Sequence, residues 1–181
     1  RIAWYALQLS DALAFVHERG ISHHDVKSTN VLIDRKAGGK LQLADFGSAV
    51  SLHEQSVGFT REYAAPELLY AYNSDDYSRI DSFKVDSFGL GCILFELLVA
   101  RKLVDFPGEQ TLAEYIREYG VDAALTGAKL PWLNDSSDPG TVGYSSALCG
   151  LVKTLLEPDR DLRWTPSTLQ KPLRSDPVSP L

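Results

Sequence analysis

The sequence predicts a mainly α-helical domain that contains one small β-hairpin. Between residues 2 and 16, apolar side chains recur at spacings of three and four, which is the pattern of one buried helix face. Residues 85–99 are apolar on nearly every side, so this segment is predicted to be a helix buried all round. Two short strand-like runs, 31–33 and 41–43, flank a turn-rich linker, as in a hairpin.

The other elements are predicted to be shorter. Gly20 is expected to stop the first helix, and Gly89 and Gly91 are expected to let neighbouring backbone approach the buried helix closely. Residues 47–64 have no sustained period and predict an extended loop. Further helices are predicted to begin at residue 66, to span 111–119, to span 148–156, and to begin at residue 166.

Composition limits the classes of function. The 181 residues are 44% hydrophobic, which is enough to bury the core of one compact domain. The net charge of -6 argues against nucleic-acid binding, which needs clustered Lys and Arg, and favours a basic ligand. The longest apolar run is interrupted by Glu96 and is too short to cross a bilayer, so no membrane partner is expected.

Cysteine usage and the start of the chain give two further expectations. Cys92 and Cys149 lie in separate apolar segments without metal-ligand spacing, which predicts a reducing compartment, the cytoplasm or the nucleus. The chain contains no methionine, and its first helical pattern already begins at Arg1, which predicts a fragment of a longer protein.

A polar run before the first strand concentrates the groups that could do chemistry. It contains His23, His24, Asp25, Lys27 and Asn30. Adjacent histidines in an extended segment point to opposite sides, so these two cannot easily share a metal ion. For a single aspartate or asparagine, a turn residue that bonds its own backbone is the ordinary interpretation.

A third residue with side-chain oxygens, Asp45, follows the predicted hairpin and is expected to lie near this polar run. Asp25, Asn30 and Asp45 would place oxygen atoms near one strand edge, with the ammonium group of Lys27 beside them. Phosphoryl transfer needs oxygen ligands for magnesium, a carboxylate near the attacking hydroxyl and a cation for the moving phosphoryl group. The pattern therefore favours a catalytic loop.

The ordered motifs resemble those of the protein kinase family over essentially the whole chain. The matching positions are His23, Asp25, Lys27 and Asn30 in His-x-Asp-x-Lys-x-x-Asn, residues 45–47 in Asp-Phe-Gly, residues 65–67 in Ala-Pro-Glu, residues 86–91 in the buried helix, and Arg163. Any one of these could arise by chance, but five in the right order rarely do. The implied fold is the large, C-terminal lobe of a kinase, over residues 1–171, followed by a flexible tail at 172–181.

The resemblance implies a role for each matching residue. Asp25 would accept or orient the proton of the substrate hydroxyl, and Lys27 would neutralise charge on the transferred phosphoryl group. Asn30 and Asp45 would hold Mg²⁺, so ATP and Mg²⁺ are the implied cofactors. Leu32 would lie under the adenine ring, although an apolar strand residue belongs to the core by default.

Other matching residues would support the site. His23 and Phe46 resemble members of an apolar stack that sets the active state, and Gly47 completes the Asp-Phe-Gly motif. Asp86 is expected to bond the backbone of the catalytic loop from the start of the buried helix. Glu67 is expected to pair with Arg163.

Two positions favour serine and threonine as acceptors. Lys27 and Thr60, in the segment before Ala-Pro-Glu, resemble the pattern of serine/threonine kinases, and the implied partner is a protein substrate. Glu96 lies where some members recognise a basic side chain, but a glutamate on a helix more often makes a structural pair or faces solvent.

The chain departs from the family at His24, where an arginine is usual. Arginine offers a permanently charged fork to a phosphate on the activation loop, whereas histidine is charged only part of the time near neutral pH. We therefore expect phosphorylation of Ser48, Ser51 or Ser56 not to be essential for activity. The opposite interpretation is that His24 still binds a loop phosphate as an imidazolium.

Nothing in the sequence resembles the Gly-rich loop or the strand lysine of the small lobe, and Gly38-Gly39 reads as a hairpin turn. The N-terminal lobe is therefore expected in cis outside this sequence, and residues 1–181 alone are expected to be inactive. Two functions stay open: the large lobe of an active serine/threonine kinase, or a non-catalytic kinase-like module that binds partners. The complete set of Asp25, Lys27, Asn30 and Asp45 favours the first.

Overall fold

The computed structural model describes residues 1–51, 58–78, 80–99, 103, 110–126 and 146–175. Within these residues the chain is mostly helical with two small antiparallel sheets, which confirms the predicted fold class. The elements are α1 (Ile2–His17), β1 (Ile21–Ser22), β2 (Val31–Asp34), β3 (Lys40–Leu43), β4 (Val50–Ser51), α2 (Pro66–Ser74), α3 (Ser82–Val99), α4 (Leu112–Tyr119), α5 (Val121–Thr126), α6 (Ser146–Leu155) and α7 (Pro166–Ser175).

Helix α3 is the centre of the core. Its side chains are buried almost without interruption from Val85 to Val99, as its apolar sequence predicted, and it contacts both α1 and α6. A Cβ atom on Gly89 would lie 2.6 Å from the carbonyl oxygen of Val26, and one on Gly91 would lie 2.9 Å from Leu156. Both glycines therefore let α3 touch its neighbours, and Gly89 brings it against the loop that contains Val26.

The first and last helices, α1 and α7, pack against each other. Arg174 on α7 donates to Asp11 on α1 at 2.8 Å. The sequence placed the start of a tail at residue 172, but the structure continues α7 to Ser175 through Pro172. Leu173 packs against the core, and this burial offsets the backbone bond that a proline inside a helix forfeits. Residues 176–181 of the predicted tail lie outside the described residues.

The predicted hairpin is confirmed. Strands β2 and β3 pair antiparallel, with Val31 opposite Leu43 and Asp34 opposite Lys40. A second sheet, β1 paired with β4, was not predicted, because strands of two residues are too short to have a period. Residues 50 and 51 therefore form a strand inside the segment that was predicted to be only an extended loop.

The smaller helices follow the prediction with shifted ends. Helix α4 starts after Thr111, whose side chain accepts from the backbone of Glu114 while the Glu114 carboxylate accepts from the backbone of Thr111. Helix α5 was not predicted, since six residues give too short a pattern. Among the described helices, none combines the length and the apolar character that a membrane crossing would require.

Candidate active site

One buried carboxylate, that of Asp86, holds the backbone of the loop that carries the candidate catalytic residues. Asp86, 1% exposed on α3, accepts the backbone N–H of His23 at 2.8 Å and that of His24 at 2.7 Å. It also bonds to Nε2 of His17 at 2.7 Å. Three donors around one carboxylate offset the cost of burying its charge. Asp86 therefore bonds the backbone of the loop, as expected, from its position as the fifth residue of α3.

His17 was not singled out from the sequence as part of this arrangement. It is the last residue of α1, and its ring stacks on Phe83 with 4.3 Å between the ring centres. Its partner, Asp86, is 69 residues away in the chain. Only the packing of α1 against α3 brings the two together, so local sequence gave no signal for the pair.

The sequence analysis assumed that the segment around His23 and His24 is extended. The structure departs from this at one residue. His24 has a φ of 67°, in the left-handed region. The bond from its N–H to Asp86 helps to hold this conformation. Both His23 and His24 are buried.

Four of the predicted residues meet in one hydrogen-bonded cluster. The ammonium group of Lys27 lies 2.7 Å from Oδ2 of Asp25 and also donates to Oγ1 of Thr60 at 2.7 Å. Asn30 donates through Nδ2 to the carbonyl of Asp25 at 3.0 Å and reaches Oδ2 at 3.4 Å. Lys27 and Asn30 therefore both bond to Asp25. The other carboxylate oxygen, Oδ1, is buried and has no hydrogen-bond partner among the described residues.

The ionisation of Asp25 follows from these contacts. Burial by itself raises the pKa of the Asp25 carboxyl, but the hydrogen bond from Lys27 and the positive charge of that residue act in the other direction. The net effect places the pKa of Asp25 below the ordinary value for an aspartate. At neutral pH the group is a carboxylate that can accept a hydrogen bond.

The hairpin brings Asp45 next to this cluster. The register of β2 and β3 continues for one more bond, from the N–H of Ala44 to the carbonyl of Asn30 at 2.8 Å. His23 donates through Nε2 to the carbonyl of Ala44 at 2.9 Å, while its Nδ1 accepts the N–H of Asp25 at 3.3 Å. Ala44 is therefore anchored from both sides, and Asp45 follows it directly.

The turn at Asp45 directs its side chain. Asp45 has a φ of 62° and accepts the N–H of Gly47 at 3.3 Å. A Cβ on Gly47 would lie only 3.1 Å from Oδ1 of Asp45, so glycine leaves room for the carboxylate. The Phe46 ring lies 4.7 Å from the His23 ring, which puts these two residues in contact as the resemblance implied.

The donor set fits a magnesium-nucleotide complex. Asn30 uses its Nδ2 on Asp25, which leaves its amide oxygen, and Asp45 has an exposed carboxylate. No group of three or more His, Cys, Asp or Glu side chains in the described part of the chain could hold a metal ion alone. Mg²⁺ commonly takes one or two protein oxygens together with substrate phosphates, so two oxygens suffice here.

Leu32 is not a core residue. It is 53% exposed on β2, as is the neighbouring Ile33, so the default expectation for an apolar strand residue is wrong at this position. This exposure leaves an apolar surface on the hairpin, whose open end carries both Asn30 and Asp45.

Glu67 and Arg163 form a buried pair away from the catalytic cluster. The guanidinium donates to both carboxylate oxygens, at 2.6 Å and 2.9 Å. Arg163 has a fully buried side chain, and it also donates to the carbonyls of Glu157 and Lys84 at 2.8 Å and 2.9 Å. The pair joins the start of α2 to the segment before α7, and so holds the end of the activation segment, which runs over residues 45–67.

Glu96 is buried and makes structural bonds. One oxygen of its carboxylate accepts from the Tyr63 hydroxyl at 2.6 Å and from the N–H of Leu103 at 2.7 Å. The Tyr63 hydroxyl also lies 3.0 Å from Oγ of Ser28 in the catalytic loop. Burial and the nearby Glu96 carboxylate raise the pKa of Tyr63 well above its usual value. Tyr63 thus links three segments, a role that its sequence context did not indicate.

Replacing Tyr63 by phenylalanine is expected to lower the free energy of unfolding by about 1.5–3 kcal/mol, because a hydrogen bond to a buried carboxylate is lost. Chemical denaturation followed by circular dichroism measures the change. The matched control is Tyr70→Phe, since Tyr70 is 71% exposed and should change stability little. Equal stability of Tyr63→Phe and the wild type would contradict this role.

His24 has a buried imidazole. Burial lowers its pKa, although the charges of Asp86 and Asp25 and a hydrogen bond to the backbone of Gly58 act in the other direction. The neutral form is therefore favoured at physiological pH, and the ring offers one N–H donor rather than a permanent positive charge.

The chain matches the protein kinase domain over residues 1–173. Protein kinase gsk31 of Schizosaccharomyces pombe is 40% identical over 126 residues, which cover 66% of this chain and 31% of that protein. Glycogen synthase kinase 1 of Pyricularia oryzae is 38% identical over 116 residues, 62% of this chain and 27% of that protein. Mitogen-activated protein kinase HOG1 of Scheffersomyces stipitis is 29% identical over 75% of this chain and 32% of its own length.

The alignments thus span only about a third of each of these relatives. The family match covers residues 1–173 of the chain, and Asp25, Lys27 and Asn30 of the first motif form one hydrogen-bonded cluster. On these grounds the chain belongs to the protein kinase domain family.

Proposed function

We propose that the chain is the large-lobe part of a serine/threonine protein kinase, which transfers the γ-phosphoryl group of ATP to a hydroxyl group of a protein substrate. The observation that carries the proposal is the cluster of Asp25, Lys27 and Asn30, joined through Ala44 to Asp45. A module that only binds partners would not need a cation, a carboxylate and two further oxygens in this arrangement.

Each residue has a distinct task in this proposal. Mg²⁺ supplies positive charge to the phosphates when bound, and the amide oxygen of Asn30 and the carboxylate of Asp45 would hold it. Asp25, ionised because of its lowered pKa, orients the substrate hydroxyl and accepts its proton. Lys27, which already bridges Asp25 and Thr60, places a positive charge where the phosphoryl group moves.

Thr60 supports serine and threonine as the acceptors. Its hydroxyl accepts from Lys27 and thereby ties the activation segment to the catalytic loop.

The ATP-binding small lobe is expected in cis, and the exposed residues Leu32 and Ile33 give it and the adenine ring an apolar surface to cover. Both lobes together would be needed for activity, because catalysis here is positioning and charge stabilisation.

The test is a transfer assay with the intact protein, γ-labelled Mg-ATP and a generic basic protein as acceptor. The expected result is label on serine and threonine, with none on tyrosine, and loss of labelling when a chelator removes the divalent metal. A protein that binds a partner but labels nothing would support the interaction module instead. Label on tyrosine would contradict the assigned acceptor class.

A triple variant, Ser48→Ala, Ser51→Ala and Ser56→Ala, is expected to keep kcat/KM within about threefold of the wild type, because a neutral His24 attracts a loop phosphate weakly. Ser56 lies outside the described residues. Steady-state kinetics of the intact protein measure the effect, with the single variant Ser74→Ala, at the end of α2, as control. Loss of nearly all turnover in the triple variant alone would contradict the expectation.

A further inference from the structure

Two buried polar atoms in neighbouring residues lack a protein partner. They are Nδ1 of the His24 ring and Oδ1 of the Asp25 carboxylate, and neither makes a hydrogen bond within the described part of the chain. His24 is only 3% exposed, so bulk solvent does not reach its ring. Native structures satisfy nearly all such atoms, because an unpaired buried polar group costs free energy. A partner from outside the protein is therefore needed for both atoms.

The two residues line the same small cavity, which has a volume of about 10 Å³. The cavity lies between the catalytic loop, the activation segment and α3, and its other walls include Phe59, Thr60 and Gly89. One water molecule needs roughly 10–15 Å³, so the cavity matches the lower end of that range. It therefore has room for a single water molecule and for no larger ligand.

Water suits these two atoms because it both donates and accepts hydrogen bonds. The ionised carboxylate of Asp25 only accepts, whereas Nδ1 of the His24 ring accepts or donates according to the tautomer. If Nδ1 accepts, a water that donates to both atoms satisfies them. If Nδ1 carries the proton, the water accepts from the ring and donates to the carboxylate. Thr60 lines the same cavity with further polar atoms, so a buried water has the two to four partners that are typical.

We propose that one buried water molecule bridges Nδ1 of His24 and Oδ1 of Asp25, and that His24 is thereby a positioning residue for the Asp25 carboxylate. Lys27 and Asn30 both approach the other carboxylate oxygen, Oδ2. A water on Oδ1 would hold the second oxygen and restrict rotation of the carboxylate about its Cβ–Cγ bond. The water site follows from the side chains themselves, whereas its effect on catalysis rests on the proposed kinase function.

A crystal structure of the intact wild-type protein, at a resolution that shows ordered water, tests the site without any variant. The expected result is one water molecule at about 2.5–3.2 Å from both Nδ1 of His24 and Oδ1 of Asp25. A direct bond between these two atoms, or a protein group bonded to either of them, would overturn the proposal. So would a cavity without density for water in a crystal where other buried water molecules are ordered.

Two variants of His24 test the effect on catalysis in the intact protein. His24→Asn keeps a polar atom at the position of Nδ1 and suits the left-handed φ of 67°, whereas His24→Leu removes every polar atom of the side chain. The strain of a left-handed leucine lowers the stability of the fold, which chemical denaturation measures separately.

The expected result is a kcat lowered by about twofold to tenfold in His24→Leu, the range that one hydrogen bond accounts for, with recovery to within about twofold in His24→Asn. The KM for ATP should stay within about twofold of the wild type in both variants, because Asp25 acts on the hydroxyl. Crystal structures should show the water in His24→Asn and not in His24→Leu. Equal kcat values in His24→Leu and the wild type would contradict the positioning role.

The failures of the two proposals can be told apart. Absence of phosphoryl transfer in the wild type would overturn the proposed function, while the wild-type crystal structure would still decide whether the water bridges His24 and Asp25. An active wild-type protein whose structure lacks this water would overturn the present inference and leave the proposed function intact.

Discussion

Replacing Asp25 by asparagine in the intact protein is expected to lower the rate of phosphoryl transfer by about 10²–10⁴-fold. Asparagine has nearly the same shape, so the loop can keep its backbone bonds to Asp86. It carries no negative charge, however, and it cannot take the proton of a substrate hydroxyl. The charge partner of Lys27 is lost at the same time.

The measurement compares kcat and KM for ATP of Asp25→Asn with those of the wild type. Because the proposed role of Asp25 concerns the hydroxyl and not the nucleotide, KM for ATP should change much less than kcat. Asp34→Asn is the matched control: Asp34 accepts the N–H groups of Lys36 and Ala37 in the exposed hairpin turn, which an asparagine can also do. Equal incorporation by Asp25→Asn and Asp34→Asn would remove Asp25 from the catalytic role.

Replacing Arg163 by alanine is expected to lower the free energy of unfolding by about 3–5 kcal/mol. The Glu67 carboxylate would lose both of its bonds to the guanidinium and remain as a largely buried charge without its partner. The carbonyls of Glu157 and Lys84 would lose a donor as well. Since typical domains are stable by about 5–15 kcal/mol, this change would remove a large part of the total.

Chemical denaturation of the intact protein measures this loss, and two further variants make the result specific. Arg163→Lys keeps the positive charge but loses the planar fork, so its stability should fall between those of the wild type and Arg163→Ala. Arg174→Ala breaks the exposed pair with Asp11 and should cost only about 0–1 kcal/mol. Similar costs for Arg163→Ala and Arg174→Ala would show that the buried pair does not stabilise the fold.

The sequence predicted from one short motif that Asp25, Lys27 and Asn30 would lie together, and the structure brings these three into one hydrogen-bonded cluster. Asp25, Lys27 and Asn30 occupy a span of six residues, and the pattern of a hairpin after them was enough to expect Asp45 nearby. The register that pairs Val31 with Leu43 places Ala44, the residue after β3, opposite Asn30. Local patterning and the chemistry of the residue types therefore carried most of the argument.

The prediction was wrong or silent where contacts join distant parts of the chain. Leu32 was expected to lie under the adenine ring, against the default that an apolar strand residue belongs to the core; its 53% exposure rules out the default, which periodicity alone could not do. The α7 helix continues through Pro172 because Leu173 packs on the core, a gain that a local rule for proline does not include. The two-residue strands β1 and β4 are strands only because they pair with each other, across about 30 residues of chain.

By itself, then, the sequence determined the helical class, the hairpin and the identity of the residues around Asp25, because periodicity and motif spacing are properties of neighbouring residues. Only the tertiary structure decided that His17 would share the carboxylate of Asp86 and that Tyr63 would bond Glu96. Each of these contacts closes a loop of more than 30 residues. Such contacts form when the packing of α3 against its neighbours fixes the separate segments in space, and no local pattern encodes that arrangement.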